Sequence, residues 1–367
     1  METPHVSTSD SDIPPEIPEY SGYDELKTAL LSLIEQHTMV QTLRLTDYSG
    51  NVDQDVRRVV REVMKAPIAA FAVSNISYQS AQILSYYEIQ FDISYRRQAQ
   101  EMDSIREIGS REELSAYLRE KMAQFSPTIL FSLSDYSKDY AFAELFSQIY
   151  YENPELAYGA AVPTVQFFPE TGAQRIVEMT VRYGQLADTL HAKSATATEE
   201  AQIILDAYSG SLLTVNRIQY FHDTLVSTVT PDRDSAPRLE SGELTQKGDP
   251  FTVYGALIKK NAVSEGFALA FQQLCMLSDI DCMVVCGKRD GIPYYWNLVL
   301  YRGKWSHVDC YESALHPEEP YRGFGLTDEA LSETHSWDTT RYPASDSSLL
   351  REMLSLDFPT HETEAEQ

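Results

Sequence analysis

Residues 261–275 read NAVSEGFALAFQQLC, and residues 293–310 read PYYWNLVLYRGKWSHVDC. Around the first stretch, apolar residues recur at helical spacing, which predicts a helix over residues 253–275. The second stretch and residues 282–286 before it predict three strands, joined by turns at Asp290-Gly291 and Arg302-Gly303-Lys304. We therefore expect an α+β core in which a helix packs on an antiparallel meander.

Three motifs in this region resemble the transglutaminase-like superfamily, whose core is papain-like. Residues 263–268 read VSEGFA, residues 294–297 read YYWN and residues 305–309 read WSHVD, where the family has approximately VCEGYA, HAWN and WYHVD. The resemblance covers residues 196–345 and indicates a bacterial transglutaminase-domain protein. It implies that Ser264, Tyr294 and Asp309 stand where the family carries its catalytic cysteine, histidine and aspartate.

Two of these three positions, Ser264 and Tyr294, lack the chemical group that the family carries there. A Cys–His–Asp site works because the imidazole helps to form a thiolate while the carboxylate orients the imidazole. The Ser264 hydroxyl would need a stronger base, and the phenol of Tyr294, with an ordinary pKa of about 10, accepts protons poorly at neutral pH. Asp309 alone matches the family. We expect a degenerate triad and a catalytically inactive protein, a pseudoenzyme.

Two classes of function remain open. In the first, the cleft binds a peptide, a protein or a cell-wall fragment without chemistry, and the residues expected to contact the ligand are Glu265, Tyr295, Trp296, Asn297 and His307. In the second, Ser264 attacks an amide or ester as part of a hydrolase or acyltransferase, helped by His307 or by a base that the sequence does not place. The two classes differ in whether an imidazole lies within hydrogen-bond distance of the Ser264 hydroxyl.

The histidines and cysteines have simpler interpretations. His307 and Asp309 lie two residues apart on a predicted strand, so both should share a face. His222 and His335 are expected to pack or to form hydrogen bonds. All four cysteines fall within residues 275–310, lack the paired spacing of a zinc site and are expected to be buried free thiols. No cofactor and no metal ligand set is predicted.

The first half of the chain contains an internal repeat with a period of 88 residues. Residues 45–49 read LTDYS and residues 133–137 read LSDYS. Each copy predicts a helix (23–36; 111–124), a strand (39–45; 128–133), a second helix (53–65; 139–152) and two further strands (68–78 and 83–95; 155–167 and 175–183). We expect two small α+β modules, at residues 23–108 and 109–195, that extend a binding surface or space the core.

Two helices, at residues 199–208 and 212–226, should connect these modules to the core, followed by a mobile loop at residues 230–249 that overhangs the cleft. Residues 1–22 are rich in serine, threonine, proline and acidic residues and should be disordered, and residues 346–367 should form a C-terminal tail.

The composition limits the partners. With 55 acidic and 29 basic side chains the formal charge is −26, which argues against binding to nucleic acid. No stretch is long and apolar enough to be an integral membrane segment. The N-terminal segment has no apolar signal region, but it is also what remains when a signal peptide is removed. We expect an extracellular or cell-envelope protein, with a cytoplasmic location as the alternative, and the oligomeric state stays open.

Overall fold

The computed structural model describes residues 17–160, 162–210 and 213–356. These residues form two compact units. One contains residues 17–110, Leu130–Asp139 and Val165–Glu178, and the other contains Arg111–Ile129, Tyr140–Thr164 and residues 179–356. Helices alternate with mainly antiparallel sheets, so the predicted α+β class is confirmed. The five segment boundaries suggested by the sequence stay a prediction.

The first part of the chain forms a four-stranded sheet with the order β1-β2-β4-β3 and helices packed against it. Its elements are β1 (Glu19–Tyr20), α1 (Tyr23–Glu35), β2 (Val40–Thr46), α2 (Val52–Val63), α3 (Pro67–Ala72), β3 (Val73–Ile83), β4 (Tyr86–Tyr95) and α4 (Ala99–Asp103). β1 runs parallel to β2, whereas β2 and β3 both pair antiparallel with β4. The sheet thus has β4 in its interior and the first strand at one edge.

Helix α2 shows why the sequence pattern produces this layer. Val52, Val56, Val59 and Val63 recur at helical spacing, and all four are buried in the core. The Asn51 side chain accepts a hydrogen bond from the amide of Gln54, which caps the helix N-terminus. The polar residues between the valines remain on the outer face.

Two expectations for this region need correction. The strand predicted over residues 68–78 begins only at Val73, because Pro67 opens the short helix α3; proline is pre-organised for the first position of a helix. Residues 1–16 of the predicted disordered segment lie outside the described residues. Glu19 and Tyr20 pair with Arg44 and Leu45, so the ordered structure begins before residue 23.

The next elements form a second four-stranded sheet with the order β5-β6-β8-β7. They are β5 (Arg106–Ile108), α5 (Arg111–Ala123), β6 (Thr128–Leu133), α6 (Phe142–Glu152), β7 (Thr164–Phe168) and β8 (Arg175–Thr180). If the strands of each sheet are numbered along the chain, both sheets have the same spatial order: first, second, fourth, third. The strand predicted over residues 155–167 is much shorter, because Pro154–Leu156 form a 3₁₀ turn and β7 begins at Thr164; position 161 is outside the described residues.

The C-terminal part is built around a buried helix and a five-stranded sheet. Its elements are α7 (Ala187–Asp206), α8 (Thr214–Thr228), β9 (Thr230–Pro231), α9 (Ser235–Glu240), α10 (Val253–Leu257), β10 (Asn261–Ala262), α11 (Ser264–Met276), β11 (Cys282–Arg289), β12 (Ile292–Tyr301), β13 (Lys304–Val308), α12 (Cys310–Leu315), β14 (Phe324–Leu326), α13 (Asp328–Leu331), β15 (His335–Trp337) and α14 (Leu349–Leu356). The sheet is antiparallel throughout, with the order β14-β13-β12-β11-β15.

Helix α11 lies in the centre of this layer. Every residue from Ser264 to Cys275 is buried, and the helix packs on β11 and β12 and against α8, α10 and α12. A helix that is covered on all sides needs apolar or small residues around its whole circumference, which the sequence SEGFALAFQQLC mostly provides. This packing fixes the position of Ser264, the first residue of the helix.

The continuous helix predicted over residues 253–275 is interrupted. α10 ends at Leu257, Lys260 has a left-handed backbone, and Asn261 pairs in parallel with Thr230 before α11 begins. A Cβ atom on Gly266 would lie 2.5 Å from the carbonyl oxygen of Pro250. The break therefore lets residues 249–252 cross closely over the first turn of α11, which only glycine permits at this position.

The remaining boundaries also differ from expectation. α7 starts twelve residues before the predicted helix at 199, because its alanine-, serine- and threonine-rich first half carries a weak apolar pattern. The helix predicted over 212–226 is α8, and position 212 lies outside the described residues. The predicted tail contains α14, whose Leu350 and Leu354 are buried. Among the described residues, no helix combines the length and the apolar character needed to cross a membrane.

Candidate active site

The three residues at the triad positions are buried, and each is held by a different element. Ser264 opens α11, Tyr294 lies in β12, and Asp309 follows β13 as the N-cap of α12. Their exposed fractions are 5%, 8% and 1%, respectively. The sequence motifs thus converge on one region of the core, but solvent scarcely reaches it.

Hydrogen bonds divide the three residues into two groups. The Ser264 hydroxyl oxygen accepts a hydrogen bond from the backbone amide of Tyr295 at 3.3 Å. The Tyr294 hydroxyl donates to Asp309 Oδ2 at 3.0 Å, and Asp309 Oδ1 accepts from the amide of Glu312 at 2.9 Å. No described imidazole forms a hydrogen bond with Ser264, so the hydroxyl has no neighbouring base within that reach.

Tyr294 is a hydrogen-bond donor in this arrangement. Burial raises the pKa of its phenol well above the ordinary value, and the negative charge of Asp309 raises it further. The hydroxyl therefore keeps its proton at neutral pH and cannot accept one from a nucleophile. Tyr294 thus acts as a hydrogen-bond donor to Asp309 and not as a base.

His335 is the imidazole that lies next to this pair. Its Nε2 atom is 3.5 Å from Asp309 Oδ2, and its ring packs edge to face on Tyr294 with a centroid distance of 5.0 Å. Nδ1 lies 2.8 Å from the hydroxyl of Thr334, whereas Nε2 has no hydrogen-bond partner among the described residues. The packing role expected of His335 is present, but its proximity to Asp309 was not predicted, because it depends on β15 joining the edge of the sheet.

His307 is not placed to act as a substitute base. It is fully buried, and its Nδ1 accepts a hydrogen bond from the Trp296 indole at 2.9 Å while Nε2 lies 2.8 Å from Asp328 Oδ1. Since Nδ1 is the acceptor, Nε2 carries the proton and donates a hydrogen bond to Asp328. Burial lowers the pKa of His307, although Asp328 opposes the shift. The pairing of β13 with β14 is irregular between His307 and Val308, and Asp309 lies beyond the end of β13, so the shared face of His307 and Asp309 stays a prediction.

The five predicted ligand-contacting residues separate in the structure. Glu265 and Tyr295 line a cavity of about 80 Å³ together with Ser264. Trp296, Asn297 and His307 do not line it, and each is at most 1% exposed. Their polar groups are used internally, since Asn297 Nδ2 donates to the carbonyl of Ala268 at 2.9 Å and Trp296 donates to His307. Neighbouring core groups, and not solvent, thus surround these three side chains.

Lys247 closes the cavity and was not predicted from the sequence. Its ammonium nitrogen lies 2.7 Å from both carboxylate oxygens of Glu265, whose side chain is 1% exposed. The Tyr151 hydroxyl also donates to Glu265 at 3.1 Å. The nitrogen lies 5.4–6.0 Å from the centres of four aromatic rings, those of Tyr150, Tyr151, Phe251 and Tyr295. We call these six residues the Lys247 cluster.

Electrostatics keep Lys247 charged in this position. Burial by itself lowers the pKa of the ammonium group, but the charge of Glu265 and the surrounding hydroxyl groups outweigh burial, and the net pKa is raised. The predicted loop at residues 230–249 therefore contains β9, α9 and a lysine that is anchored by a buried carboxylate. The cavity beside it encloses about 80 Å³, which is less than the range of about 300–1,000 Å³ for typical ligand pockets, so a ligand would have to displace part of its lining.

The cysteines are free, as predicted, with Cys275 and Cys310 buried and Cys282 and Cys286 half-buried. Burial raises the pKa of Cys286 to about 12, and the nearby charge of Glu265 contributes to the rise. Thiols in such surroundings stay protonated and do not act as nucleophiles at neutral pH. Within residues 17–356, apart from the undescribed positions, no group of three histidine, cysteine or acidic residues is arranged to hold a metal ion.

No protein-family profile and no curated protein matches the chain. Among solved structures, the chain is similar to a transglutaminase (TGase), with a TM-score of 0.28 and 14% identity, over 56% of this chain and 58% of that one. It is also similar to a putative cysteine protease from Cytophaga hutchinsonii, with a TM-score of 0.24 and 11% identity, over 41% of this chain and 62% of that one. The chain thus covers less than two thirds of either neighbour, and these similarities assign neither a family nor an activity.

Proposed function

We propose that residues 196–345 form a transglutaminase-like module with a papain-like core that binds a ligand and does not turn it over. The observation that supports this proposal most directly is the environment of Ser264. Its hydroxyl accepts a hydrogen bond from a backbone amide, and no described imidazole lies within hydrogen-bond distance. An acyl-transfer step would need a base at that position to remove the hydroxyl proton.

The partner positions support the same interpretation. Tyr294 donates a hydrogen bond to Asp309, so the carboxylate that would orient a catalytic histidine is occupied by a phenol. The cavity at Ser264 is small and closed by the Lys247 cluster. A substrate would have to displace residues 247–251 and break a buried ion pair before it contacted the serine.

We further propose that the ligand is a peptide or a cell-wall fragment and that the protein acts at the cell envelope. The strongly acidic composition supports a cationic partner over an anionic one. The two sheets with the same strand order support the interpretation of residues 23–108 and 109–195 as copies of one module. In this proposal the copies extend the binding surface or space the core.

The test compares hydrolysis and acyl transfer by the wild type with two variants, Ser264→Ala and Ser264→Cys/Tyr294→His. Glutamine-containing peptides, peptide esters and cell-wall peptides serve as substrates. We expect no turnover by the wild type and none by Ser264→Ala. Turnover by the wild type that Ser264→Ala abolishes would contradict the proposal. Activity gained in the double variant would support an intact scaffold without its chemistry.

One observation favours the alternative of a serine-dependent hydrolase or acyltransferase. His335 and Asp309 form a buried imidazole–carboxylate pair, and Nε2 of His335 has no hydrogen-bond partner among the described residues. A base held in this way resembles the orienting arrangement of catalytic triads. If the wild type is active, His335→Gln should abolish that activity together with Ser264→Ala. An active wild type that tolerates His335→Gln would exclude this route.

A further inference from the structure

A second candidate binding surface lies along strand β11. β12 pairs with the whole of β11, but β15 pairs only with Gly287, Lys288 and Arg289. The segment from Cys282 to Cys286 therefore forms an edge of the sheet. With about 3.3 Å per residue, this open edge is about 13 Å long.

The direction of the backbone groups along this edge follows from two hydrogen bonds. The carbonyl of Asp281 accepts from the amide of Leu300 on the inner side, whereas the amide of Cys286 donates to the Tyr342 hydroxyl on the outer side. Backbone groups alternate in direction along an antiparallel strand, so those of Cys282 and Val284 face outward. Neither residue forms a hydrogen bond on that side with any described residue.

The open edge borders a groove that is large enough for an extended peptide. The groove encloses about 790 Å³ and is lined on one side by Cys282, Met283 and Val284. Its opposite wall comes from Gln148 and Tyr151 of α6. This volume lies within the range of sites that bind small ligands and short peptides, and it is about ten times that of the cavity at Ser264.

The charges around the groove indicate which peptide would fit. Glu152, Asp279 and Asp281 line it and are exposed, and Arg341 is the one basic residue among the described residues that line it. The strand itself, CMVVC, has no charged residue and no proline that would discourage pairing with another strand. Carboxylates beside an unpaired apolar edge favour a basic chain in an extended conformation.

We propose that an extended peptide with basic side chains adds as a strand to the edge formed by Cys282 to Cys286. Hydrogen bonds to the backbone of Cys282 and Val284 would supply affinity, and the three carboxylates would select basic side chains. Tyr151 belongs to both the groove and the Lys247 cluster, but Ser264 does not line the groove, and peptide binding there does not depend on whether the serine is reactive. It goes beyond the proposed function by placing a peptide outside the closed cavity.

The test uses the full chain and a labelled peptide of the sequence acetyl-Lys-Val-Thr-Val-Lys-amide, with the two lysines changed to glutamate as the matched control. We expect saturable binding of the lysine peptide, and affinity for the glutamate peptide lower by at least about tenfold at low salt. The variant Asp279→Asn/Asp281→Asn should bind the lysine peptide at least about threefold more weakly. Asp290→Asn, an exposed change in the β11–β12 turn, should leave the affinity unchanged.

Amide exchange measured by NMR locates the peptide. On binding, the amides of Cys282 and Val284 should become protected, whereas those of Met283 and Val285 already bond to β12 and should change little. The proposal is overturned if no binding occurs up to about 1 mM peptide. Equal affinity for the two peptides, or binding that leaves the Cys282 and Val284 amides unprotected, would also overturn it.

Discussion

The ion pair between Lys247 and Glu265 offers a direct test of how the candidate active site is held closed. The perturbation is Lys247→Met, which keeps a long apolar side chain and removes the charge. Glu265 is 1% exposed, and Lys247 is its one cationic partner among the described residues. The substitution therefore leaves a buried carboxylate with only the Tyr151 hydroxyl, at 3.1 Å, and its position in the first turn of α11.

The expected loss of unfolding free energy follows from this environment. Removing one partner of a buried ion pair typically costs about 3–5 kcal/mol of unfolding free energy. The Tyr151 hydrogen bond remains, and the positive end of the α11 dipole favours a negative charge by up to about 1 kcal/mol. We expect a loss of about 2–4 kcal/mol for Lys247→Met. In Lys247→Met/Glu265→Gln no charge is left buried, so the loss should fall to about 1–2 kcal/mol.

Urea unfolding followed by tryptophan fluorescence measures this effect locally. The three tryptophans of the chain, at positions 296, 305 and 337, all belong to the unit that contains the site. The pKa of Lys247 is raised in the folded protein, so its contribution to stability is complete below the pKa of an unfolded lysine, about 10.4. This stabilisation is therefore complete at pH 7 and is lost only as the pH rises above that value.

The matched control is Lys304→Met, which removes an exposed pair with Asp346 at 3.2 Å. Exposed pairs contribute little, and the control should stay within about 0.5 kcal/mol of the wild type. A loss below about 1 kcal/mol for Lys247→Met would refute the reasoning. A double variant no more stable than the single one would refute it as well, since an uncompensated charge would then not be the cause.

Three further predictions concern the surroundings of the site. Tyr294→Phe removes the phenol donor from Asp309 and should cost about 1–3 kcal/mol in the same urea assay; no loss would contradict the hydrogen bond. Since burial lowers the pKa of His307, its contribution to stability is complete above about pH 6.5 and declines as the pH falls; stability should therefore fall less steeply below about pH 6.5 in His307→Gln than in the wild type, and an unchanged slope would count against this reasoning. Gly266→Ala places a Cβ atom 2.5 Å from the Pro250 carbonyl and should cost about 1–3 kcal/mol, and full stability would show that this crossing can relax.

Local patterns in the sequence were sufficient for the elements of the core. The apolar spacing around α11, the strand-forming residues of β12 and the turns on either side of it predicted a helix and a meander, and these elements are present. The proximity of Tyr294 and Asp309 was also predicted, because both belong to motifs that were assigned to one site. Each of these features depends on residues that are close in the chain or on one simple strand pairing.

The features that the sequence did not predict depend on contacts between distant segments. Lys247 lies in an irregular segment with no periodic pattern, and its partner Glu265 is identifiable only once residues 249–252 cross over α11. His335 reaches Asp309 through the short strand β15, which pairs with only three residues of β11. The register shift beside His307 interrupts the regular pairing of β13 with β14. A pattern of period 2 or 3.6 contains no information about such contacts.

Asp309 has a structural role at the start of α12, which its hydrogen bonds define. Its carboxylate caps α12 by accepting a hydrogen bond from the amide of Glu312 and accepts another from the Tyr294 hydroxyl, and its own amide donates to the carbonyl of Gly323 at 2.7 Å. Replacement by alanine would remove an N-cap and leave a buried phenol without an acceptor, and each loss alone costs about 1 kcal/mol or more. The structural role is therefore sufficient to explain an aspartate at this position. The hydroxyl of Tyr294, at 3.0 Å, satisfies this buried carboxylate in the protein interior, so no catalytic role is needed to account for the pair.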